Sequence, residues 1–336
     1  MNINPHRLKN SVLAAFVIAL TGPSLCLSQT GASTGVVGFQ TVSLPSNTVT
    51  AVGINFLNPN ILVAPVAAVS SNGFTLSSVT NVASFLTAGT PYYVEVRSGT
   101  NEGARLDVDV AGSIASVSNV IIDSTSTRNT DSLSAIASSL TNSSIALRKH
   151  ITLSDITPSI VNLNSGPSGT GDEVLLFNPS TASWVTYLRR TSTTWRDQFN
   201  AVVDPVVAPG EGILIRKRAA SGSISHSGNV RANNFYLNTK SGYQFLTFGF
   251  PLDNSFSSLG AFGGGWKFGA SGTGDEALLL KNDGSGYEIY LYRTSSSWRD
   301  QFNVTVNTNS ILSGSSATLF KKANAENLVL NKPAGL

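Results

Sequence analysis

Sulfur is nearly absent from the chain, which has one Cys and one Met among 336 residues. A lone Cys26 forms no intrachain disulfide and leaves no second thiol for a zinc site or a Cys-x-x-Cys motif. Histidine is scarce, with three residues, and none sits at ligand spacing. Zinc centres and Cys–His nucleophiles are therefore poor readings. Charged residues make up 12% of the chain, roughly half the usual share. Lys and Arg total 22 against 19 Asp and Glu, which with no recognition motif argues against nucleic acid as a partner. No Gly-x-Ser-x-Gly elbow and no P-loop occurs, and Gly263–Gly265 lacks dinucleotide spacing. After residue 28 no apolar run is long enough to cross a bilayer as a helix.

What is present points to strands and export. Ser and Thr supply about a quarter of the chain, with 30 Gly and 13 Pro, and 41% of residues are hydrophobic. That mixture suits short strands joined by turns. Residues 1–28 read as a signal peptide. His6, Arg7 and Lys9 precede the apolar run Ser11 to Leu20, and Cys26-Leu27-Ser28 offers small residues for a cut. Removing them takes away the Cys and the Met and leaves a nearly neutral chain. The expected location is the periplasm, cell surface or exterior, with membrane contact only through an uncleaved signal segment.

An internal duplication organises the second half. SGTGDEVLLF (Ser168 to Phe177) recurs as SGTGDEALLL (Ser271 to Leu280), and YLRRTSTTWRDQFN (Tyr187 to Asn200) as YLYRTSSSWRDQFN (Tyr290 to Asn303). The offset is 103 residues, as Asp172 with Asp275 and Trp195 with Trp298 show. After one inserted residue, Gly212 to Ala219 aligns with Ser316 to Ala323. A weaker echo relates Thr41–Leu62 to Phe235–Phe256. The pattern predicts an all-β protein of mainly antiparallel sandwich or small-barrel modules, with one or two short helices near 81–86 and 131–140. The expected domains are 29–145, 146–230 and 231–336, the last two being copies.

The VGFQTVSLP opening, the INFLNP loop, the YYVEVRSGTNEGARLDV hairpin, the DSLSAIASSL segment and the two GDE…WR modules together resemble a family of exported, β-rich bacterial proteins of verrucomicrobial type. The resemblance spans most of the mature chain. It implies an exported β-rich protein and brings no activity and no catalytic residues.

Several constellations invite chemistry. Asp172-Glu173 and Asp275-Glu276 are acidic pairs, but neighbours on a strand face opposite ways, so neither pair makes a glycosidase dyad alone. Asp107 and Asp109 share a strand face, expected to be solvated rather than a calcium site. Arg190 and Arg293 fall in phase with Leu188 and Leu291. They are expected to turn inward and pair with Asp172 and Asp275, or with Asp197 and Asp300. The basic groups Arg216-Lys217-Arg218 and Lys321-Lys322 are expected to be solvated strand ends.

In Trp195-Arg196-Asp197-Gln198-Phe199 and its copy, Trp and Phe are expected to share one strand face and fill each core. The sharper alternative is a sugar-binding surface of Trp195, Arg196, Asp197, Trp298, Arg299 and Asp300, with Tyr187 and Tyr290 as further aromatics. The expectation is a non-catalytic surface or extracellular structural or interaction protein, with no catalytic residue, metal or cofactor. Carbohydrate binding is the alternative and an extracellular hydrolase the third reading. Polysaccharide, other surface proteins or further copies of the chain are the partner classes.

Overall fold

The computed structural model describes residues 36–256, 265–306 and 312–333. The expected signal segment lies outside them. The fold is all-β: antiparallel strands with three short α-helices among the described residues. None of these helices is long and apolar enough to cross a membrane.

The first strands among the described residues are β1 (Val37–Leu44) and β2 (Val49–Gly53), joined at a Pro-Ser turn where Asn47 takes a positive φ of 56°. It then enters a separate unit. β3 (Leu62–Val69), β4 (Gly73–Leu76), β5 (Tyr92–Val96), β6 (Arg105–Asp107), β7 (Asn119–Ile121) and β8 (Ser144–Lys149) form one sheet in the order 6-5-8-3-4-7. The sheet curls until its two edges meet at the Val108–Ile122 bridge.

Alternation dictates this shape. Val66, Phe74, Leu76, Val94, Val96, Leu106, Val120, Ile145 and Leu147 all point to one enclosed core. Helix α2 (Leu133–Leu140) closes it with Leu133, Ile136 and Leu140, and is capped by Ser132, whose side chain accepts from Ala135 N. Helix α1 (Val110–Ser116) is capped by Asp109. Asp109 is thus a helix cap and Asp107 is buried at 5% exposure, which corrects the solvated Asp107/Asp109 face. The expected helix at 81–86 is only a 3-10 turn, Ala83–Phe85.

The chain returns through β9 (Ile151–Thr152) and helix α3 (Leu153–Ile156) to β10 (Glu173–Asn178), β11 (Ser183–Arg189), β12 (Trp195–Arg196), β13 (Val202–Val203), β14 (Val206–Val207), β15 (Gly212–Arg216) and β16 (Gly222–Asn229). Strand β1 pairs with β16 as a separate two-stranded sheet, while β2 pairs with β15 and completes a six-stranded sheet in the order 13-12-11-10-15-2. The second copy follows without interruption: β17 (Phe235–Thr239), β18 (Gly242–Leu246), β19 (Glu276–Leu280), β20 (Tyr287–Thr294), β21 (Ser297–Asp300), β22 (Thr318–Lys322) and β23 (Glu326–Leu330). Here β17 pairs with β23, and the sheet order is 18-22-19-20-21.

Two expectations change. The division at residue 145 does not follow the sheets. Residues 37–53 are the first two strands of module A, β1 pairing with β16 and β2 with β15, and the barrel from Leu62 to Lys149 is inserted between them and the rest. The echo of Thr41–Leu62 in Phe235–Phe256 is this same pair of strands in module B, β17 pairing with β23 and β18 with β22. Secondly, the last strands match at an offset of 105, not 104. Glu173 faces Arg216 as Glu276 faces Lys321, so two residues are inserted rather than one. Lys217 therefore corresponds to Lys322.

Each module sheet is apolar on both faces, which explains the unbroken VLLF and ALLL runs. One face of module A packs on Leu44, Val52, Trp195, Ile213 and Ile215; one face of module B on Phe250, Phe256, Trp298 and Phe320. The remaining faces meet each other through Ala51, Leu175, Leu214, Phe245, Ala317 and Leu319. This contact is self-complementary. Gly53 N donates to Ser315 O at 2.9 Å, and its equivalent Thr247 N donates to Gly210 O at 2.8 Å, where Gly210 is the equivalent of Ser315. Gly212 and its equivalent Ala317 touch: a Cβ on Gly212 would lie 2.1 Å from Ala317 Cβ. The two copies thus pack about a local two-fold axis, as an isologous dimer does.

Candidate functional site

The acidic pairs are structural in both copies. Asp172 Oδ2 accepts from Lys217 Nζ at 2.5 Å and from Asn164 N, and Oδ1 accepts from Arg218 N. Asp275 does the same with Lys322, Lys267 N and Ala323 N. All four side chains are at most 1% exposed. A buried ion pair per module is thus present, but its cation is the strand-end lysine, not Arg190 or Arg293. Those arginines are half-buried and form no ion pair among the described residues. The reason is register: Glu173 faces Arg216 and Glu276 faces Lys321, so the next residues, Lys217 and Lys322, fall opposite Asp172 and Asp275, whereas on β11 and β20 it is Arg189 and Tyr292, one residue before the arginines, that bond to those aspartates. Lys217 and Lys322 are consequently not solvated. Glu173 points the other way and pairs with Arg216 and Arg218, both at 2.8 Å.

Trp195 and Trp298 are 1% and 0% exposed and offer no face to a ligand. Trp195 Nε1 donates to Thr157 Oγ1 at 2.8 Å, and Trp298 stacks on Phe256 with ring centroids 4.0 Å apart. Their expected core partners Phe199 and Phe302 go elsewhere, because the strand stops at the Asp. Asp197 Oδ1 accepts from Phe199 N at 2.9 Å and Ala201 N at 2.8 Å, and Asn200 adopts a φ of 69°. Asp300 accepts identically from Phe302 N and Val304 N, with Asn303 at 67°. Arg196 and Arg299 fold back onto the carbonyls of Asn200 and Asn303. The loop so closed lifts Phe199 and Phe302 into solvent at 81% and 76% exposure.

Beside Phe302 lies an open groove of about 350 Å³, lined by Lys281, Tyr287, Glu288, Tyr290, Gln301 and Phe302, with Asp300 at its base. The β20–β21 register sets Tyr290 directly opposite Asp300. Tyr290 donates its hydroxyl to Glu288 Oε2 at 2.8 Å. Burial, then that hydrogen bond and the nearby carboxylates, push the phenol up to about 12, so it stays a neutral donor. In module A the same register positions hold Tyr187, Asp197, Gln198 and Phe199. There Val185 replaces Glu288 and Asn178 replaces Lys281. Of the residues read from the sequence, the structure therefore gathers Tyr290 with Asp300 and Tyr187 with Asp197. It hides both tryptophans and adds Phe199, Phe302 and Glu288.

A second polar cluster joins the barrel to the modules. His150 Nε2 lies 2.8 Å from Asp107 Oδ1, and Arg128 also pairs with Asp107. Burial holds the imidazole below its ordinary value, although the Asp107 hydrogen bond opposes this. Glu95 is 0% exposed and pairs with Arg231 and Arg148. At 2% exposure His150 is beyond the reach of a substrate, and the cluster cements the barrel in place. A narrower cleft of about 80 Å³ opens where the barrel and both modules meet, beside Arg105, Glu211 and Lys240. Burial raises the Glu211 carboxyl there. Among the described residues no group of three or more His, Cys, Asp or Glu could hold a metal ion.

No family model matches the chain, and no curated protein matches it. Among solved structures, a chain in the structure of the Macrobrachium rosenbergii Nodavirus aligns over 96% of both chains at 9% identity with a TM-score of 0.11, a likeness that carries no argument about fold or function.

Proposed function

We propose that the protein is an exported, non-catalytic interaction protein that meets its partner through the two loops ending in Phe199 and Phe302. The supporting observation is the exposure of the same phenylalanine in both copies, held out by the same aspartate and asparagine. Burying a phenylalanine stabilises by roughly 1.5–3 kcal/mol, so the two tips hold about 3–6 kcal/mol of unused burial. The RDQFN run is identical in the two modules while the strands around it have diverged. A tip that only needed solubility had every freedom to lose its ring. Two equivalent tips in one compact unit also suit a repetitive partner, since the second contact is intramolecular once the first forms. The N-terminal basic-then-apolar pattern supports export.

The test is adsorption of the full chain to cellulose beads, gelatin-coated wells and phosphatidylglycerol vesicles. The wild type should hold at least one of these, and Phe199→Ser/Phe302→Ser should weaken it by about tenfold or more. A double variant that binds like the wild type, or a wild type that binds none, overturns the reading.

A further inference from the structure

We infer that the groove beside Phe302 in module B is a glycan-binding subsite that takes a neutral hexose unit. This deepens the reading of the loop tips as contact surfaces and rests on it. Sugars present an apolar C–H face on one side and hydroxyls that both donate and accept around the rim. The groove offers the matching pair. Phe302 supplies an open ring at 76% exposure. Around it stand the Glu288 carboxylate, Asp300 Oδ2 (its Oδ1 is taken by the loop amides), the Gln301 amide and the Lys281 ammonium. About 350 Å³ is at the low end of small-ligand sites and fits one or two sugar rings.

Other occupants fit less well. Two carboxylates against one ammonium give the groove a net negative charge, which disfavours anionic glycans, nucleic acid and anionic lipid headgroups. An extended peptide would need a free strand edge. The outer edge of β21 is already taken by the chain itself, through the Arg299–Thr305 bridge and the bond from Val306 N to Trp298 O. Module A keeps the ring and the aspartate but loses the Glu288 and Lys281 equivalents, so it holds a sugar by stacking with fewer hydrogen bonds. The two copies therefore divide into a stronger and a weaker subsite.

The experiment is isothermal titration of the full chain with cellohexaose, chitohexaose, mannohexaose and xylohexaose. At least one should bind. Phe302→Ala should weaken it by about tenfold, the loss of one stacked ring. Glu288→Gln should weaken it by about tenfold through the lost charge-assisted bond, and Phe199→Ala should change it by less than about threefold. All three positions are at the surface, so unchanged circular dichroism checks the fold. No binding by any of the four sugars, equal binding by Phe302→Ala, or preference for polygalacturonate would overturn the inference. If the chain still adsorbs to gelatin through its two phenylalanines while no sugar binds, only the sugar assignment falls; if adsorption also vanishes, both readings fall.

Discussion

Replacing Lys217 with Met tests what holds each module together. Asp172 and Lys217 are both fully buried, at 0% exposure. The variant leaves a carboxylate with two backbone amides and no countercharge, and leaves the Asn162 carbonyl without the ammonium that met it. Breaking one side of a buried pair costs about 3–5 kcal/mol. That is a large share of the 5–15 kcal/mol that holds a typical folded protein. Removing both charges as Asp172→Leu/Lys217→Met does not restore stability. The amides of Asn164 and Arg218 lose their acceptor, at roughly 1–3 kcal/mol each. The assay is urea unfolding followed by tryptophan fluorescence, with Trp195 reporting on module A. Lys322→Met should cost the same in module B, with Trp298 as reporter. A loss below about 1 kcal/mol in Lys217→Met, or a double variant as stable as the wild type, would refute the reasoning.

Further outcomes follow from the packing. His226 is 7% exposed, has no partner for either ring nitrogen, and is held by burial at about 4, against 6.5 when unfolded. The fold keeps it neutral, so its contribution is full above pH 6.5 and is lost as pH falls towards 4. The shift amounts to about 3 kcal/mol, and urea midpoints of His226→Gln should fall less steeply over that window than those of the wild type. Gly212→Ala should cost about 1–3 kcal/mol by overpacking against Ala317, and adding Ala317→Gly should recover at least half of it; the midpoint of thermal unfolding reads both. Phe199→Ser/Phe302→Ser should leave urea stability within about 0.5 kcal/mol of the wild type, because those rings touch solvent rather than core.

The duplication and the strand class were legible in the sequence because identical runs and alternation survive translation into any sheet. Four things were not. Nothing in residues 37–53 announces that their partners lie beyond residue 200, since strand pairing is a long-range choice. The one-residue slip that hid the match of Lys217 with Lys322 falls where the copies share only apolar and basic residues, so several registers look alike. The position of Phe199 turned on a side chain, Asp197, capping its own loop; the Asp-x-x-Asn spacing with Asn at positive φ was the available signal. The lysine partner was missed because a strand-end lysine reads as solvated until the neighbouring strand is known.

The inserted barrel also sets an order of assembly. Gly53 must find Gly212, and Val37 must find Asn229, across very long stretches of chain. The barrel brings its own ends together: Ile61 N donates to Leu147 O at 2.9 Å, and Asn58 Nδ2 to Lys149 O at 3.1 Å. Once folded, it removes roughly half of the loop between β2 and β15. Halving a loop lowers the closure cost by about 0.6 kcal/mol, near threefold in rate. Module B, being continuous, needs no such help. Barrel first, then the docking of β1 and β2 onto β16 and β15, is therefore the economical sequence, and destabilising the barrel core should slow refolding recorded at Trp195 more than refolding recorded at Trp298.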